Sequence, residues 1–155
     1  MKLNLILILF IAVGCNKPAG TNTVPDLSLV YQDDVDIIDL DLNTVTRRYA
    51  GSSRTVKIDV GKDKRGLILD FIVDNEVLKI NDSDLRDNCN VHMLPQSSFK
   101  IDVVIDKGPS RRFDWTSNNC GDQIDILNQL VSLIKEYTVA QLAAESLPPT
   151  DITVE

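Results

Sequence analysis

The three cysteines are the side chains of this chain best suited to chemistry, and Cys15 has the most distinctive surroundings. It follows an apolar run over residues 3 to 13, which is preceded by one basic residue, Lys2. A basic start, a short apolar run and a small residue before the end are typical of a bacterial export signal. As a helix such a run spans about 16 Å, too short for a bilayer core of about 30 Å. The sequence therefore predicts export.

Residues 12 to 15 resemble the lipobox of bacterial lipoproteins, with Gly14 before Cys15, although Ala12 stands where the lipobox prefers leucine. The resemblance implies that residues 1 to 14 are removed as a signal peptide and that Cys15 carries the lipid, palmitate included, that anchors the chain to a membrane. The alternatives are a secretory signal that is cut elsewhere and a membrane-anchored tail. Asn16 stands where enterobacteria read aspartate as an inner-membrane retention signal, which favours the outer membrane of the cell envelope.

The other two cysteines, Cys89 and Cys120, would reach an oxidising compartment after export, where a disulfide is the default state. Closing that loop would contribute about 3 to 4 kcal/mol on the chain-entropy treatment. The alternative is a zinc site, because Cys89 and His92 have a C-x-x-H spacing and Cys120 would add a third ligand. The sequence offers no convincing fourth ligand, so the disulfide is favoured and no metal is predicted.

Two aspartate-rich segments invite comparison with calcium sites. Asp39, Asp41 and Asn43 match the first three ligand positions of an EF-hand, but Thr44 stands at its glycine position and Ala50 at its glutamate position. Leucines alternate with these residues, so the aspartates are better explained as the solvated face of a strand. The irregular loop over residues 81 to 87, with three aspartates, remains a second calcium candidate.

Two arginine pairs, Arg47 with Arg48 and Arg111 with Arg112, have the geometry to bind a carboxylate or phosphate through two parallel hydrogen bonds. The alternative is that they pair with acidic residues of the same predicted sheet. The candidates for this pairing are Asp39, Asp41, Asp102 and Asp114.

The composition argues against nucleic acid as a partner and against catalysis. The formal net charge is -7 and no long run of lysine and arginine occurs, so the chain is poorly suited to neutralising a phosphate backbone. His92 is the sole histidine available as a base, and no G-x-S-x-G, G-x-G-x-x-G or Walker motif is present, so no cofactor is predicted. A hydrolase that uses a pair of the 23 acidic residues remains the enzymatic alternative.

The elements follow from periodicity and turn chemistry. Residues 15 to 25 are the lipidated cysteine with a polar tether that contains proline and glycine, and residues 26 to 155 form a single domain. Residues 35 to 42 and 45 to 49 predict a hairpin, and residues 54 to 60 a third strand or a continuation of the second. Residues 62 to 75 predict a helix whose apolar face holds Leu67, Ile68, Phe71 and Ile72, and the alternative for the run over residues 67 to 69 is a buried strand. The stretch over residues 81 to 96 is loop-like.

The second half repeats this order. Residues 99 to 106 and 111 to 116 predict a hairpin with Phe113 and Trp115 toward the core. A longer helix follows with Asp122 as its N-cap and an apolar stripe through Tyr137, and its pattern can run on to Ser146, before Pro148 and Pro149. We therefore predict an α+β fold, an antiparallel sheet of four or five strands with two helices on one face, in the order ββαββα. Over about residues 35 to 138 this layout resembles small lipoproteins of Bacteroidota, a resemblance that implies no activity.

These observations predict a lipid-anchored envelope module that binds, inhibits or scaffolds a partner protein. Its binding surface would be the open sheet face or the loop that holds Cys89 and His92. The alternatives are a small envelope hydrolase that uses carboxylates and a calcium-stabilised structural domain.

Overall fold

The computed structural model describes residues 25 to 86, 89, 95 to 142 and 146 to 152. The predicted signal, Cys15, most of the tether, His92 and Asp87 lie outside these residues. The strands are β1 Leu27–Gln32, β2 Asp36–Asp39, β3 Thr44–Tyr49, β4 Ser52–Lys57, β5 Ser98–Ile105 and β6 Arg111–Thr116. The helices are α1 Lys62–Asp74 and α2 Asp122–Tyr137, followed by short 3₁₀ turns at Val77–Lys79 and Val139–Gln141. Neither helix has the length and apolar character that crossing a membrane requires.

The strands form one antiparallel sheet in the order β4-β3-β2-β1-β5-β6. The predicted α+β fold, with an antiparallel sheet and two helices of which the second is longer, is confirmed. The predicted count of four or five strands is wrong, because the sheet has six. The missed strand is β1, which lies at the centre and pairs with β2 on one side and β5 on the other. The element order is therefore ββββαββα.

One face of the sheet forms the hydrophobic core with both helices. The pairing of the strands places core residues directly opposite one another. Tyr31 lies opposite both Ile38 and Ile101, and Ile101 lies opposite Phe113. Every sheet residue with less than a tenth of its surface exposed points to this side. The sheet contributes Leu27, Leu29, Tyr31, Ile38, Val45, Ile101, Val103, Phe113 and Trp115, and the helices contribute Ile68, Leu69, Ile72, Ile124, Leu127, Leu130, Val131 and Ile134.

The helices depart from the predictions in two details. In α1, Leu69 is buried while Leu67 is 51% exposed, so the buried stripe is rotated away from the predicted face. In α2, the N-cap is Gly121 and not Asp122, which is the first helical residue and makes no capping hydrogen bond. The carboxylate of Asp122 still lies in the first turn, where the helix dipole favours negative charge.

Candidate functional site

The second face of the sheet is not covered by any of the described elements. Along five of the strands, residues that point away from the core alternate with buried ones, whereas the edge strand β4 has no buried residue. None of the residues that point away from the core is buried. We call this surface the open face. It consists of Ser28, Val30, Gln32, Ile37, Asp39, Thr44, Thr46, Arg48, Ser53, Thr55, Lys57, Ser98, Lys100, Asp102, Val104, Arg112, Asp114 and Thr116.

A groove of about 540 Å³ lies at one end of the open face. It crosses the strands, with lining residues from β3, β1, β5 and β6, and it is closed at the β6 side by Leu85 and Arg86. The residues that give it its charge and polarity are Gln32, Asp34, Arg48, Arg86, Lys100 and Asp114. This volume falls within the range of ordinary ligand pockets.

The acidic and basic residues of the groove differ in how far they are already paired. The carboxylate of Asp34 accepts hydrogen bonds from the backbone N–H of Ser98 at 3.1 Å and from its hydroxyl at 2.8 Å. The Arg48 and Arg86 guanidinium groups have no polar partner among the described residues. The Lys100 ammonium group is 3.8 Å from Asp102, a loose ion pair. The exposed carboxylate of Asp114 also lacks a hydrogen-bond or ion-pair partner among the described residues, so the groove offers two unused guanidinium groups against one unused carboxylate.

Behind the groove, Asp33 ties the end of β1 to α2. One carboxylate oxygen accepts from the Tyr31 hydroxyl at 2.8 Å and from the Lys135 ammonium group at 2.6 Å. The other accepts from the backbone N–H groups of Val35 at 2.8 Å and Asp36 at 2.6 Å. Burial by itself raises the pKa of Asp33, but these hydrogen bonds outweigh it and hold the pKa below its usual value. Asp33 is therefore a structural carboxylate that is ionised at neutral pH.

Tyr31, the hydrogen-bond partner of Asp33, is unsuited to proton transfer. Its ring is fully buried, and its hydroxyl donates to a carboxylate. Burial, together with the negative charge of Asp33, raises the pKa of Tyr31 far above its usual value. The phenol stays protonated at any physiological pH, so its role is to satisfy Asp33.

Three of the four arginines singled out in the sequence are paired with carboxylates, but only Arg112 pairs with one of the predicted candidates, Asp102. Arg47 and Asp36 form two parallel hydrogen bonds of 2.8 and 2.9 Å. Arg112 contacts Asp102 at 2.6 Å. Arg111 contacts Asp82 at 3.2 Å and donates to the Ile80 carbonyl.

The fourth arginine, Arg48, alternates with Arg47 along β3 and so points to the opposite face of the sheet, into the groove. The sequence pattern grouped the two as a pair. Strand alternation places their side chains on different faces, because successive residues of a strand point in opposite directions.

The C-terminal residues are held against β3. The Arg47 guanidinium donates to the carbonyls of Leu147 and Pro148, and the Tyr49 hydroxyl also donates to the Pro148 carbonyl. The Thr150 hydroxyl donates to the carbonyl of Arg48 at 2.7 Å. The Arg47 guanidinium group, on the core side of the sheet, is therefore hydrogen-bonded to both Asp36 and the C-terminal residues.

Cys89 and Cys120 form a disulfide, with 5.5 Å between their Cα atoms. The bond agrees with the prediction and uses both thiols of the zinc hypothesis, whose third candidate ligand, His92, lies outside the described residues. The backbone N–H of Cys89 also donates to the Asn118 carbonyl at 2.9 Å. The disulfide joins the segment after α1 to the residues that precede α2.

Asp39 and Asp41, two aspartates of the calcium hypothesis, accept hydrogen bonds from nearby backbone N–H groups or from a serine hydroxyl. One oxygen of Asp39 accepts from the N–H groups of Asp41 and Leu42, each at 2.9 Å, and Asp41 accepts from the Ser28 hydroxyl. The predicted strand to residue 42 is too long, because β2 ends at Asp39 and Leu42 is 68% exposed in the turn. Among the described residues, no three His, Cys, Asp or Glu side chains are grouped to hold a metal ion.

The groove itself was not predicted from the sequence. Its basic residues come from three separate parts of the chain, Arg48 from β3, Arg86 from the segment after α1 and Lys100 from β5. No spacing motif connects them, so only strand order brings them together. Compared with known proteins, the chain matches no protein-family model and no curated protein.

Proposed function

We propose that this protein is a lipid-anchored module of the cell envelope that binds a partner protein through its open face and catalyses no reaction. The observation that carries the proposal is the open face, on which none of the described strands has a buried residue. In an ordinary α+β domain such a face is solvated, and here it also holds a groove with unpaired basic side chains. A binding role uses both features.

The chemistry of the groove supports binding over catalysis. Of the groove's carboxylates, Asp34 is hydrogen-bonded to Ser98, and Asp33 is bonded to Lys135 and Tyr31. The third, Asp114, is exposed to solvent and lies beside the charged Lys100. A general acid or a nucleophile needs a side chain that can release or accept a proton at the reacting atoms. The strongly hydrogen-bonded acids of this end of the sheet are better suited to holding the structure.

The anchor rests on the first fifteen residues. A basic start, a short apolar run and a small residue before Cys15 match an export signal, and the lipobox resemblance makes Cys15 the acyl acceptor. A tether of about ten residues with glycine and proline has a root-mean-square length of about 17 Å as a flexible coil. The domain would therefore lie close to the membrane surface, in our proposal that of the outer membrane.

The first test is the Cys15→Ser variant of the full chain. We expect incorporation of labelled palmitate to be lost completely, because serine is not an acceptor for the thioether that precedes acylation. The melting temperature should stay within about 1 °C of the wild type, since Cys15 lies ten residues before the described chain begins at Pro25. As a control, a double Cys89→Ser and Cys120→Ser variant should keep the label. Label that persists in Cys15→Ser would refute the lipid anchor.

A second test concerns the binding face. We expect p-benzoylphenylalanine in place of Thr55, an exposed residue of the open face, to give a cross-linked adduct on irradiation of whole cells. The matched control is the same photoreactive residue in place of Asp70, which is exposed on α1. It should give no adduct. Adducts from Asp70 alone would move the binding surface to the helices, and adducts from neither position would refute the binding module.

A further inference from the structure

We infer that the groove binds an extended acidic segment of the partner protein, an inference that rests on the proposal that the open face is the binding surface. The acidic and basic side chains of the groove differ in how far they are paired. Asp34 is satisfied by Ser98, whereas the guanidinium groups of Arg48 and Arg86 have no polar partner among the described residues. Unpaired guanidinium groups bind carboxylates through short, charge-assisted hydrogen bonds.

The arrangement of these groups suits an extended chain. Gln32 lies directly opposite Lys100, and Lys100 lies directly opposite Asp114, so the three form one row across β1, β5 and β6. Arg48 on β3 and Arg86 beyond β6 continue the groove at its two ends. Four steps between neighbouring strands, from β3 to β6, span about 19 Å at a spacing of about 4.8 Å. An extended peptide of about six residues covers that length at about 3.3 Å per residue.

Asp114 makes the groove selective among acidic ligands. It lies between the charges of Lys100 and Arg86, it is exposed, and like charges placed side by side oppose binding. A polymer with a negative charge on every unit, such as a polyphosphate or a polyuronate, would meet this carboxylate. A peptide with acidic residues separated by neutral ones avoids it.

Two further observations favour a peptide over a sugar chain. Trp115 is only 3% exposed and stacks on Phe99, so its ring offers no free face for a sugar to stack on. The amide of Gln32, at the β1 end of the row, has no partner among the described residues and can bond a peptide group. The covered Trp115 ring disfavours a sugar ligand, and the Gln32 amide favours a peptide ligand.

The groove also lies where a partner can reach it. The described chain enters the sheet at the opposite end of β1, where the N–H of Asp26 bonds the carboxylate of Asp106 at 2.9 Å. Strand β1 then carries the chain about 17 Å to Gln32 at the groove. The groove therefore lies at the end of β1 that is remote from the first described residues.

The experiment measures fluorescence anisotropy of a labelled ten-residue peptide with glutamate at alternate positions, added to the full chain purified in detergent at low salt. We expect saturable binding that weakens as salt is raised, since salt screens exposed charges. Because the chain has a formal net charge of -7, an acidic peptide should bind only where basic groups are locally in excess. The same peptide with glutamine in place of glutamate should not bind.

The variants Arg48→Gln and Lys100→Gln should each weaken binding by about tenfold or more, the loss of one charge-assisted contact. The control is Lys62→Gln, an exposed basic residue at the start of α1 and outside the open face, which should change affinity less than about twofold. Unchanged melting temperatures would show that the variants are folded. Should one basic variant fail to fold, the other carries the test.

Three results would overturn the inference: equal binding of the glutamine peptide, tighter binding of polygalacturonate than of the acidic peptide, or affinities that neither Arg48→Gln nor Lys100→Gln lowers. These outcomes are separate from those of the proposed function. Adducts at Thr55 with no effect of Arg48→Gln would leave the binding module standing and refute the groove as its acidic-peptide site. Peptide binding that depends on Arg48, without palmitate on Cys15, would leave the groove standing and refute the anchor.

Discussion

Replacing Trp115 by alanine is expected to lower the free energy of unfolding by about 3 to 5 kcal/mol, the cost of truncating a large aromatic residue in a core. The side chain is 3% exposed and lies on the face of β6 that meets α2. Its ring stacks on Phe99 with 5.5 Å between centroids, and its indole N–H donates to the side-chain oxygen of Asn128 at 3.2 Å. The variant loses apolar burial, a ring contact and a hydrogen bond together.

Urea denaturation followed by far-ultraviolet circular dichroism measures this loss, because the variant has no tryptophan fluorescence left to follow. The control is Leu42→Ala, since Leu42 is 68% exposed and its truncation should change stability by less than about 0.5 kcal/mol. A loss below about 1 kcal/mol in Trp115→Ala would contradict the burial of this ring. It would also mean that the sheet presents its other face to the helices.

The second large effect is expected at Asp36. Asp36 and Arg47 lie directly opposite each other on β2 and β3, and their side chains are 5% and 13% exposed. Removing the carboxylate in Asp36→Ala leaves a buried guanidinium group without its counter-ion, which typically costs about 3 to 5 kcal/mol. The carbonyls of Leu147 and Pro148 would remain its only acceptors among the described residues.

The sheet itself provides the matched control. Asp102 and Arg112 are also directly opposite each other on neighbouring strands, but on the open face, with side chains 28% and 59% exposed. Because water solvates the remaining charge there, Asp102→Ala should cost no more than about 1 kcal/mol. Equal losses in the two variants, measured by urea denaturation, would show that burial does not determine the strength of these cross-strand pairs.

The segments whose structure the sequence predicted well are those with strong local patterns. Strand β6 has the predicted bounds, and β5 is shifted from its predicted bounds by one residue. The second helix lies where helical periodicity placed it, but it ends at Tyr137, short of Ser146. Phe113 and Trp115 face the core as predicted. In these segments the burial of each residue follows from the period of its own strand or helix, so the neighbouring residues in the sequence are enough to predict it.

Strand β1 could not be placed in the sheet from local patterns. Leu27, Leu29 and Tyr31 alternate in the sequence and are all buried, so a local signal was present. One of its partners, β5, begins only at Ser98, and no turn connects the two strands. A pairing between segments so far apart is set by the closure of the whole sheet.

The sequence by itself determined where the second hairpin and the two helices form, which residues of the second hairpin and second helix are buried, and that Cys89 and Cys120 pair. These depend on the period of a single element, on turn residues and on the number of thiols. Only the tertiary structure decided the central position of β1, the pairing of Arg47 with Asp36 and the presence of Arg48 in a groove with Lys100 and Arg86. These depend on strand order and register, which arise because an open sheet must bury one continuous face against its helices, and a change of one residue in register would exchange the two faces.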